Sequence, residues 1–441
     1  MASDCRLAFK HARRQISYDF IKIFFLYLLI DFYAMQIFEV DTPKDKKEFT
    51  DFPKRLYKGD PNWVCMLDSE LEGIFDPKKN HAFKLGEANR WILRDENGKT
   101  IGRVAAFFDR QRSTVYRQLT GGMGFFEVVE NKEAAFALFD TCRKWLASNG
   151  MEAMDGPVNF GENDSNWGLL VDGFMQQGYG MPYHKRYYRD FFEAYGFRNY
   201  YEQYSYHREV HGKDGKIVEF PPRIKKIAEW LTKRPGYSFQ HFQFSRKDKF
   251  VKDFVEIYNS AWAVFKEDFI PLAPEIIDET FRKAKAILDE DIIWFAYYND
   301  KPIAFFILLP DLNQIIKPFN GRLNFLNMIR FGWAKVIHKM TRMRGIVGGV
   351  HPAHQNNGVE SAIFYKLYEA LRSKPWYKEL ELSWVGDFNP KMQAIYEAIG
   401  AHRAKTHITY RFMINDKLEF ARYKDEVDLM HISGNAAQSL K

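Results

Sequence analysis

The chain contains two β-hairpin patterns, one in each half, and this repetition constrains its fold more than any other feature. The patterns are RWILRDENGKTIGRVAAFF (90–108) and IIWFAYYNDKPIAFFILLP (292–310). In each, apolar and aromatic residues flank a short polar turn, which is typical of two antiparallel strands with a tight connection. Trp91 and Trp294 lie in the two leading strands. The two halves therefore follow one plan.

Each hairpin lies within the same order of surrounding elements. A strand and a helical stretch precede it, and a strand, a helix, a strand, a helix and a final strand follow it. Such alternation predicts an α/β fold with a mixed sheet in each half. A chain of 441 residues also exceeds what one hydrophobic core usually fills. We predict two domains, residues 35–210 and 237–415, with a helix-containing linker (211–236) between them and a tail (416–441).

Residues 1–34 differ in character from the rest of the chain, because basic residues there are followed by an apolar run. This order resembles a signal peptide or a membrane anchor. Only Ile23–Ile30 lacks charge, between Lys22 and Asp31, whereas a spanning helix needs roughly 20 apolar residues. We predict an extension outside the fold, and the alternative is a segment that associates with a membrane.

The composition predicts a globular protein of a reducing compartment. Charged residues make up 27% of the chain and hydrophobic residues 46%, which excludes an intrinsically disordered protein. The three cysteines, Cys5, Cys65 and Cys142, are far apart and show no CxxC spacing. This spacing argues against a disulfide framework and against a zinc site. We therefore predict a cytoplasmic protein without a bound metal.

One basic stretch, RFGWAKVIHKMTRMR (330–344), occurs in a chain whose net charge is a modest +7. Such a stretch is typical of a solvated helix face, and this is the interpretation that we favour. The alternative is a surface for a nucleic acid or a lipid. Because the chain has no long basic run, we predict no nucleic-acid partner.

Between Gly348 and Leu371 a strand-like run breaks into polar residues and restarts as a helix: GGVHPAHQNNGVESAIFYKLYEAL. Pro352 ends strand pairing, and apolar residues recur at three- and four-residue spacing from Val359 onward. A helix that begins near Gly358 offers unpaired N–H groups and the positive end of its dipole, which together bind phosphate or pyrophosphate. On spacing alone, simple helix capping is the favoured alternative.

The segment HQNNGVES resembles the acetyl-CoA-binding motif Q/R-x-x-G-x-G/A of the GCN5-related N-acetyltransferase (GNAT) superfamily. Gln355 and Gly358 match the motif, whereas Glu360 stands where the family has Gly or Ala. A carboxylate beside a pyrophosphate opposes binding unless it points away. The departure at Glu360 therefore bears on the affinity for CoA.

A second segment, NPKMQAIYEAIGA, is similar to the family's N-x-x-A-x-x-x-Y-E-x-x-G-F motif. The matching residues are Asn389, Tyr396, Glu397 and Gly400, and the apolar residues Met392 and Ala401 replace two others. With both motifs and the repeated plan, the chain from Met35 to Ile414 resembles a tandem GNAT protein. It looks closest to uncharacterised bacterial two-GNAT proteins.

The resemblance implies two tandem GNAT-like acyltransferase domains and the transfer of an acyl group to an unidentified amine. Acetyl-CoA, or another acyl-CoA, is the implied co-substrate, and a small-molecule amine is the implied acceptor. Tyr396 is the implied general acid for the leaving thiolate. The implied CoA contacts are Gly349, Val350, His351, Gln355, Asn356, Asn357, Gly358, Val359, Ser361 and Asn389.

Other functions stay open. Glu360 and the lack of an evident general base motivate a non-catalytic protein that binds or senses acyl-CoA. Tandem GNAT folds also resemble long-chain N-acyltransferases and aminoacyl-tRNA-dependent transferases, although the CoA-like loop argues against tRNA as the donor. We interpret four polar residues near the motifs as structural rather than catalytic: His351, Glu381, Ser383 and Asp387.

The first half lacks both features. In FFEVVENKEAA, Glu127, Glu130 and Glu133 surround the expected helix start, where carboxylates are good caps but poor neighbours for a pyrophosphate. Phe192 occupies the place that matches Tyr396, and it cannot donate a proton. We predict that the active site lies in the second half and that the first half is structural or binds substrate.

An aromatic-rich stretch, residues 160–192, is the other candidate for ligand contacts. Long connections of this kind are usually functional or mobile. The alternative is a lid that packs over the sheet.

Overall fold

One continuous mixed β-sheet runs through the computed structural model, which describes residues 35–113, 117–161, 165–263 and 271–426. The extension that we predicted over residues 1–34 lies outside the described residues. The sheet has 13 strands. They are β1 (Gln36–Glu39), β2 (Gly86–Arg94), β3 (Thr100–Asp109), β4 (Thr120–Val128), β5 (Ala153–Gly156), β6 (Leu169–Asp172), β7 (Arg198–Glu209), β8 (Tyr237–His241), β9 (Ile293–Tyr298), β10 (Lys301–Pro310), β11 (Arg342–Val350), β12 (Glu379–Gly386) and β13 (His402–Met413).

Twelve α-helices connect these strands within the described ranges. They are α1 (Pro43–Leu56), α2 (Asp68–Ile74), α3 (Arg110–Ser113), α4 (Lys132–Ser148), α5 (Tyr188–Tyr195), α6 (Pro222–Thr232), α7 (Lys247–Ala263), α8 (Pro274–Ala284), α9 (Asn313–Ile316), α10 (Phe325–Val336), α11 (Val359–Leu371) and α12 (Pro390–Ala398). None of the described helices has the length and apolar character needed to cross a membrane.

The α/β fold that the sequence predicts is confirmed, and both hairpins form. In the first, Trp91 of β2 lies opposite Val104 of β3. In the second, Phe295 of β9 lies opposite Phe305 of β10. Around each hairpin the order of strands and helices is the same in both halves, with two exceptions. The first half has the additional short strand β6, and in the second half two helices, α9 and α10, lie where the first half has only α3.

The last strand of each half adds to the sheet of the other half. Along the sheet the order is β1-β2-β3-β4-β5-β13-β7-β12-β11-β10-β9-β8. β13 therefore lies between β5 and β7, and β7 lies between β13 and β12. This exchange brings side chains of β13, near the end of the described chain, to the middle of the sheet.

Alternate residues of the central strands face two different layers. On one face, Met343 of β11 and Leu382 of β12 belong to an apolar cluster with residues of α6, α11 and α12. On the other face, Phe305 and Ile307 of β10 pack with residues of α7 and α8. The polar residues that alternate with Met343 and Leu382 therefore point toward this second face.

The basic stretch at residues 330–344 is not one helix face. α10 ends at Val336, and Arg342 and Arg344 belong to β11, where they are 6% and 5% exposed. The interpretation of this stretch as a solvated helix face is therefore wrong for these two arginines, because the pleat of β11 turns them inward.

Candidate active site

Two neighbouring parallel strands, β11 and β12, separate partway along their length. They pair from Arg342 opposite Glu379 to Gly345 opposite Leu382. Beyond this point β11 continues beside β10 as far as Val350, while β12 continues beside β7. The facing edges therefore leave a gap in the sheet with backbone N–H and C=O groups along it. We refer to this gap as the strand opening.

The strand opening leads to the N terminus of α11. This helix follows Gly358, which has a left-handed φ of +79° and, as a glycine, offers no side chain to cap the helix. The carboxyl group of Glu360 accepts a hydrogen bond from its own backbone N–H in the first turn. Asn356, with φ +64°, is left-handed as well. Ile227 of α6 packs against the turn, because its Cγ2 atom is 2.7 Å from where a Cβ on Gly358 would lie. The first backbone N–H groups of α11 are therefore oriented to bind an anion.

Two of the residues that we predicted to contact CoA have side chains that are hydrogen-bonded to the nearby backbone. His351 Nδ1 accepts a hydrogen bond from the Ala353 N–H at 3.2 Å. Gln355 Nε2 donates one to the Val350 carbonyl at 3.3 Å. These bonds shape the turn between β11 and α11, so both side chains have a structural role in this conformation.

The other predicted residues of this turn differ in exposure. Asn356 and Asn357 are exposed and Ser361 is half-buried, whereas Val359 is fully buried in the apolar cluster under α11. Val359 can therefore offer a ligand only its backbone N–H group. The structure brings these residues into one continuous turn, and their contact with CoA stays a prediction.

The two glycines that precede Val350 have different surroundings. Gly349 is buried in β11 and lies opposite Phe305 of β10. The ring of Phe306 fills the space that a side chain on Gly348 would need. Gly348 therefore accommodates a core aromatic ring, and only Gly349 and Val350 stay candidates for contact along the strand opening.

The second motif places Asn389 and Tyr396 on α12. Asn389 caps this helix, since its Oδ1 atom accepts a hydrogen bond from the Met392 N–H at 3.2 Å. Tyr396 is buried, and its ring packs edge-on against Tyr206 of β7 at 5.5 Å and Phe364 of α11 at 6.4 Å. Burial, with a smaller effect of Tyr206, raises the pKa of Tyr396. Its hydroxyl group therefore keeps its proton at neutral pH.

Glu360, the departure from the family motif, lies in the first turn of α11 and is half-buried. Burial raises the pKa of its carboxyl group. A carboxylate at this position is stabilised by the helix dipole, and for the same reason it competes with any other anion at the helix N terminus.

In the first half, the chain itself crosses the corresponding gap. β4 and β5 pair only from Thr120 to Gly122 and then separate. There the Val158 N–H donates a hydrogen bond to the Met123 carbonyl at 2.8 Å. The Val158 carbonyl also occupies the space that a side chain on Gly124 would need. No ligand can therefore lie between these strands without displacing backbone.

The helix that follows this closed gap is α4, and the side chain of its N-cap residue, Asn131, caps its N terminus. Asn131 Oδ1 accepts a hydrogen bond from the Ala134 N–H at 2.8 Å. Glu127 does not surround this helix start as we predicted, because β4 extends past it. Glu127 is instead buried, and it accepts hydrogen bonds from the hydroxyls of Tyr57 at 2.8 Å and Tyr188 at 2.9 Å. Burial raises its pKa to about 7.

A buried ionic network lies on the face of the sheet opposite Tyr396. Glu381 of β12 forms an ion pair with Lys405 of β13 and lies 3.6 Å from Arg342 of β11. Arg342 also pairs with Asp311 at 2.5 Å. Because every carboxylate here has a cationic partner, the arrangement suits the structural role that we expected for Glu381.

Arg344 and Ser383 connect this network to the strand opening. Arg344 Nε donates a hydrogen bond to Ser383 Oγ at 2.9 Å, next to the point where β11 and β12 separate. The Arg344 guanidinium lies 5.1 Å from the ring centre of Trp167, which is buried. The described part of the aromatic-rich stretch therefore packs over the sheet, as the lid interpretation expects.

His407 of β13 is a buried residue beside this network that the sequence did not point to. Its Nε2 atom lies 3.2 Å from the Pro182 carbonyl, which can only accept, so Nε2 carries the ring proton. No described residue donates a hydrogen bond to the lone pair on Nδ1. Burial, with a smaller effect of Lys405, lowers the pKa of His407 to about 3, and the ring is neutral.

Three more buried polar atoms near His407 lack hydrogen-bond partners in the described part of the chain: Gln203 Nε2, Ser205 Oγ and Trp167 Nε1. The rings of Trp167 and His407 are 6.1 Å apart, and Gln203 lies opposite His407 on β7. Buried groups of this kind nearly always have a partner, so they are candidate contacts for the polar part of a substrate. Sequence reasoning missed Gln203 and Ser205 because only the strand exchange brings β7 and β13 together here. Trp167 belongs to the aromatic-rich stretch that we named as a candidate for ligand contacts.

A cavity of about 670 Å³ lies away from this site, at the start of β12. His207, Arg208, Lys378, Glu379 and His402 are among its lining residues. None of the residues that we predicted to contact CoA lines it, so it is separate from the strand opening.

Two bacterial proteins are similar to the chain over most of its length, and no protein-family model matches it. The chain is 27% identical to Protein YghO of Escherichia coli (strain K12) over 389 residues, which are 84% of this chain and 93% of that protein. It is 26% identical to the bacterial ceramide synthase of Caulobacter vibrioides (strain NA1000 / CB15N) over 390 residues, 85% of this chain and 97% of that protein.

Among the solved structures that share the fold are two proteins of the GNAT type. A tandem GNAT protein from the clavulanic acid biosynthesis pathway matches with a TM-score of 0.50 and 11% identity, over 86% of this chain and 99% of that chain. The GCN5-related glucosamine N-acetyltransferase region of a fungal multi-domain GH3 β-N-acetylglucosaminidase matches with a TM-score of 0.52 and 12% identity. This match covers 86% of this chain but only 38% of the fungal one. The chain therefore has the tandem GNAT fold that its motifs predicted.

Proposed function

We propose that the protein is an acyl-CoA-dependent N-acyltransferase whose active site lies in the second half. The observation that carries the proposal is the strand opening, which leads to the N terminus of α11, where the N-cap residue Gly358 has no side chain. The first half offers neither feature, since Val158 crosses its gap and Asn131 caps its helix.

In this proposal the acyl-CoA donor lies along the strand opening. Its pantetheine arm pairs with the backbone edge of β11 that faces the strand opening, near Gly349 and Val350. Its pyrophosphate accepts hydrogen bonds from the N–H groups of Val359, Glu360 and Ser361, which is how helix N termini bind phosphates without a lysine. The left-handed turn at Gly358 supports this arrangement, because it lets a ligand approach the backbone closely.

Tyr396 serves as the proton donor in this proposal. When the amine nitrogen attacks the thioester carbonyl, a C–N bond forms and the C–S bond breaks. The leaving thiolate takes a proton from the hydroxyl of Tyr396 and becomes the thiol of CoA. The amine nitrogen loses one proton as the amide forms, and this proton returns through solvent to Tyr396, so the hydroxyl is restored. The position of Tyr396 in the second motif supports the assignment, and its hydroxyl is protonated at neutral pH, as a proton donor must be.

The amine approaches from the opposite face, where buried cations outnumber buried carboxylates. The charged residues there are Arg342, Arg344, Lys405, Asp311 and Glu381. An excess of positive charge favours the neutral form of an amine, which is its nucleophilic form. The lone pair on His407 Nδ1 accepts a hydrogen bond from an N–H or O–H group of the acceptor.

Fatty acyl-CoA and a lipid amine are the substrates that we favour. The similar Caulobacter protein is a bacterial ceramide synthase, and a ceramide is the amide of a fatty acid and a long-chain amino alcohol. The similarity extends over 97% of that protein, although identity is 26%. Acetyl-CoA with a small amine, which the GNAT motifs imply, is the alternative.

A two-step experiment tests the proposal. Calorimetry with CoA and the full chain should show binding, and a thiol-release assay with palmitoyl-CoA should show turnover with a long-chain amino alcohol. Acetyl-CoA and a panel of small amines run in parallel. Absence of CoA binding would reject the enzyme, whereas binding without turnover of any pair would favour an acyl-CoA sensor.

The Tyr396→Phe variant tests the chemistry within the same assay. We expect turnover to fall about 100-fold with unchanged affinity for CoA, because general acid catalysis typically contributes at least this factor. Tyr365→Phe on α11 is the matched control, since it removes a hydroxyl that donates to Glu229 at 3.4 Å. Unchanged turnover in Tyr396→Phe would reject the general-acid role.

Replacing Glu360 with glutamine is expected to tighten CoA binding about twofold to tenfold at pH 8, because it removes a competing anion at the helix N terminus. The pKa of Glu360 is raised, so its carboxylate is neutralised as the pH falls through that pKa. CoA affinity of the unaltered protein should therefore rise in mild acid and that of Glu360→Gln should not. Glu369→Gln, on the same helix and paired with Lys366, is the control for calorimetry. Identical pH profiles would show that Glu360 points away from the anion.

A further inference from the structure

Large exposed apolar side chains are concentrated on one short segment around α10. Of 13 such side chains in the described part of the chain, eight lie between Leu323 and Ile337. Their exposed fractions run from 50% for Leu323 to 75% for Phe325. We refer to these eight as the α10 surface: Leu323, Phe325, Leu326, Met328, Ile329, Trp333, Val336 and Ile337.

α10 buries almost none of its own apolar residues. Only Asn327 and Ala334 are buried within the helix, and Phe331 is half-buried against a small apolar cluster. A surface helix of a globular domain normally turns its apolar stripe toward the core. A contiguous apolar surface of this kind instead marks a site of interaction.

The α10 surface is nevertheless firmly attached to the fold. Asn324 caps the helix by accepting a hydrogen bond from the Asn327 N–H at 3.0 Å, and Asn327 Nδ2 donates to the Arg322 carbonyl at 2.7 Å. Lys335 Nζ donates to the Ala286 carbonyl at 2.6 Å. The apolar residues are therefore held outward on a well-anchored helix.

The charged residues of the segment 322–339 all have the same sign. From Arg322 to Lys339 the basic residues are Arg322, Arg330, Lys335 and Lys339, all of them exposed, and this segment contains no aspartate or glutamate. A helix that combines exposed Trp, Phe and Leu with basic residues binds at the boundary between lipid headgroups and acyl chains, and it prefers anionic lipids. Charge complementarity therefore selects an anionic bilayer as the partner.

The α10 surface is connected to the acceptor side of the candidate active site. The cluster beneath α10 includes Tyr179, whose N–H donates to Asp311 at 2.9 Å, and Asp311 pairs with Arg342. We propose that α10 docks the protein onto an anionic lipid bilayer, with Phe325 and Trp333 entering the headgroup boundary. Docking itself does not depend on N-acyl transfer, and it would bring a lipid amine to this side of the sheet.

Vesicle sedimentation with the full chain tests the docking. We expect binding to vesicles of equal parts phosphatidylglycerol and phosphatidylcholine, and an at least tenfold weaker partition for the double variant Phe325→Glu/Trp333→Glu. The double variant Arg330→Glu/Lys339→Glu should lose the preference for phosphatidylglycerol. Ile276→Glu on α8 changes an apolar residue that is 49% exposed elsewhere, and it should bind as the unaltered protein does.

A fluorescent probe distinguishes α10 from other membrane contacts of the chain. An environment-sensitive dye on Ile329→Cys, in a Cys5→Ser background, should shift to the blue with phosphatidylglycerol vesicles, and the same dye on Ile276→Cys should not. Equal vesicle binding of the unaltered and Phe325→Glu/Trp333→Glu proteins would overturn the proposal and assign attachment to another segment. Blue emission at position 329 without lipid would also overturn it, because a second copy or another part of the chain would then cover α10.

Discussion

Replacing Glu381 with glutamine is expected to lower the free energy of unfolding by about 3–5 kcal/mol, because it leaves a buried lysine without its partner. The side chain of Lys405 is 2% exposed, and Glu381 is the carboxylate with which it pairs. Arg342 keeps Asp311 as a partner at 2.5 Å in this variant, so the residue that is left without a carboxylate partner is mainly Lys405. Chemical denaturation at pH 7 measures the difference.

Two controls separate the lost charge from the altered side chain. Glu379→Gln, on the same strand, removes a carboxylate that is 34% exposed and bonds to His207, and it should cost less than about 1 kcal/mol. The double variant Glu381→Gln/Lys405→Met removes both charges and should be more stable than Glu381→Gln alone. If the double variant lost as much free energy of unfolding as Glu381→Gln and Lys405→Met lose in sum, the ion pair would not account for the effect.

The pH dependence of the free energy of unfolding is a second test of the Glu381→Gln variant. Burial alone would raise the pKa of Glu381, but Lys405 and Arg342 outweigh it and lower the pKa below its usual range. Ionised Glu381 therefore stabilises the fold above its unfolded pKa of about 4, and this stabilisation is lost as the pH falls through the folded pKa. Glu381→Gln should consequently lose less stability in acid than the unaltered protein.

Local patterns made much of the fold predictable, whereas long-range pairing was not. The hairpin around Trp91 and the helix starting after Gly358 depend on residues close together in sequence, and both formed as expected. The partners of β7 and β13 depend on which sheet edge each strand meets. Since both halves offer a similar edge, the sequence pattern is equally compatible with exchange and with no exchange.

In the candidate site, too, local sequence predicts some residues and long-range strand pairing determines the others. The turn at Gly358 and the position of Tyr396 follow from motifs, because each lies on one contiguous segment. Lys405 and His407 reach the sheet centre only through the exchanged strand, so no local pattern marks them. Glu127 was misplaced because a strand end is poorly defined by sequence, and the strand continues past this residue.

Replacing Gly358 with alanine is expected to weaken CoA binding about 10-fold to 100-fold. The left-handed φ of +79° costs an L-residue roughly 1–2 kcal/mol. The added methyl group would also lie 2.7 Å from Ile227 Cγ2, so either α6 or the turn must move. Because the first N–H groups of α11 are aimed by this turn, a shift there misaligns them with a bound pyrophosphate. Calorimetry with CoA measures the change.

Two further variants separate backbone strain from steric contact in this result. Gly98→Ala in the first hairpin has a comparable φ of +72° and no neighbour within 4 Å, so it should lower stability modestly and leave CoA affinity unchanged. In Gly358→Ala/Ile227→Ala the crowding is relieved, and the double variant should regain the part of the affinity that the contact with Ile227 removes. A Gly358→Ala protein that is as stable as Gly98→Ala and binds CoA normally would exclude this helix N terminus as the pyrophosphate site. Loss of CoA affinity in Gly358→Ala but not in Gly98→Ala would instead tie the binding of the donor to the turn between β11 and α11.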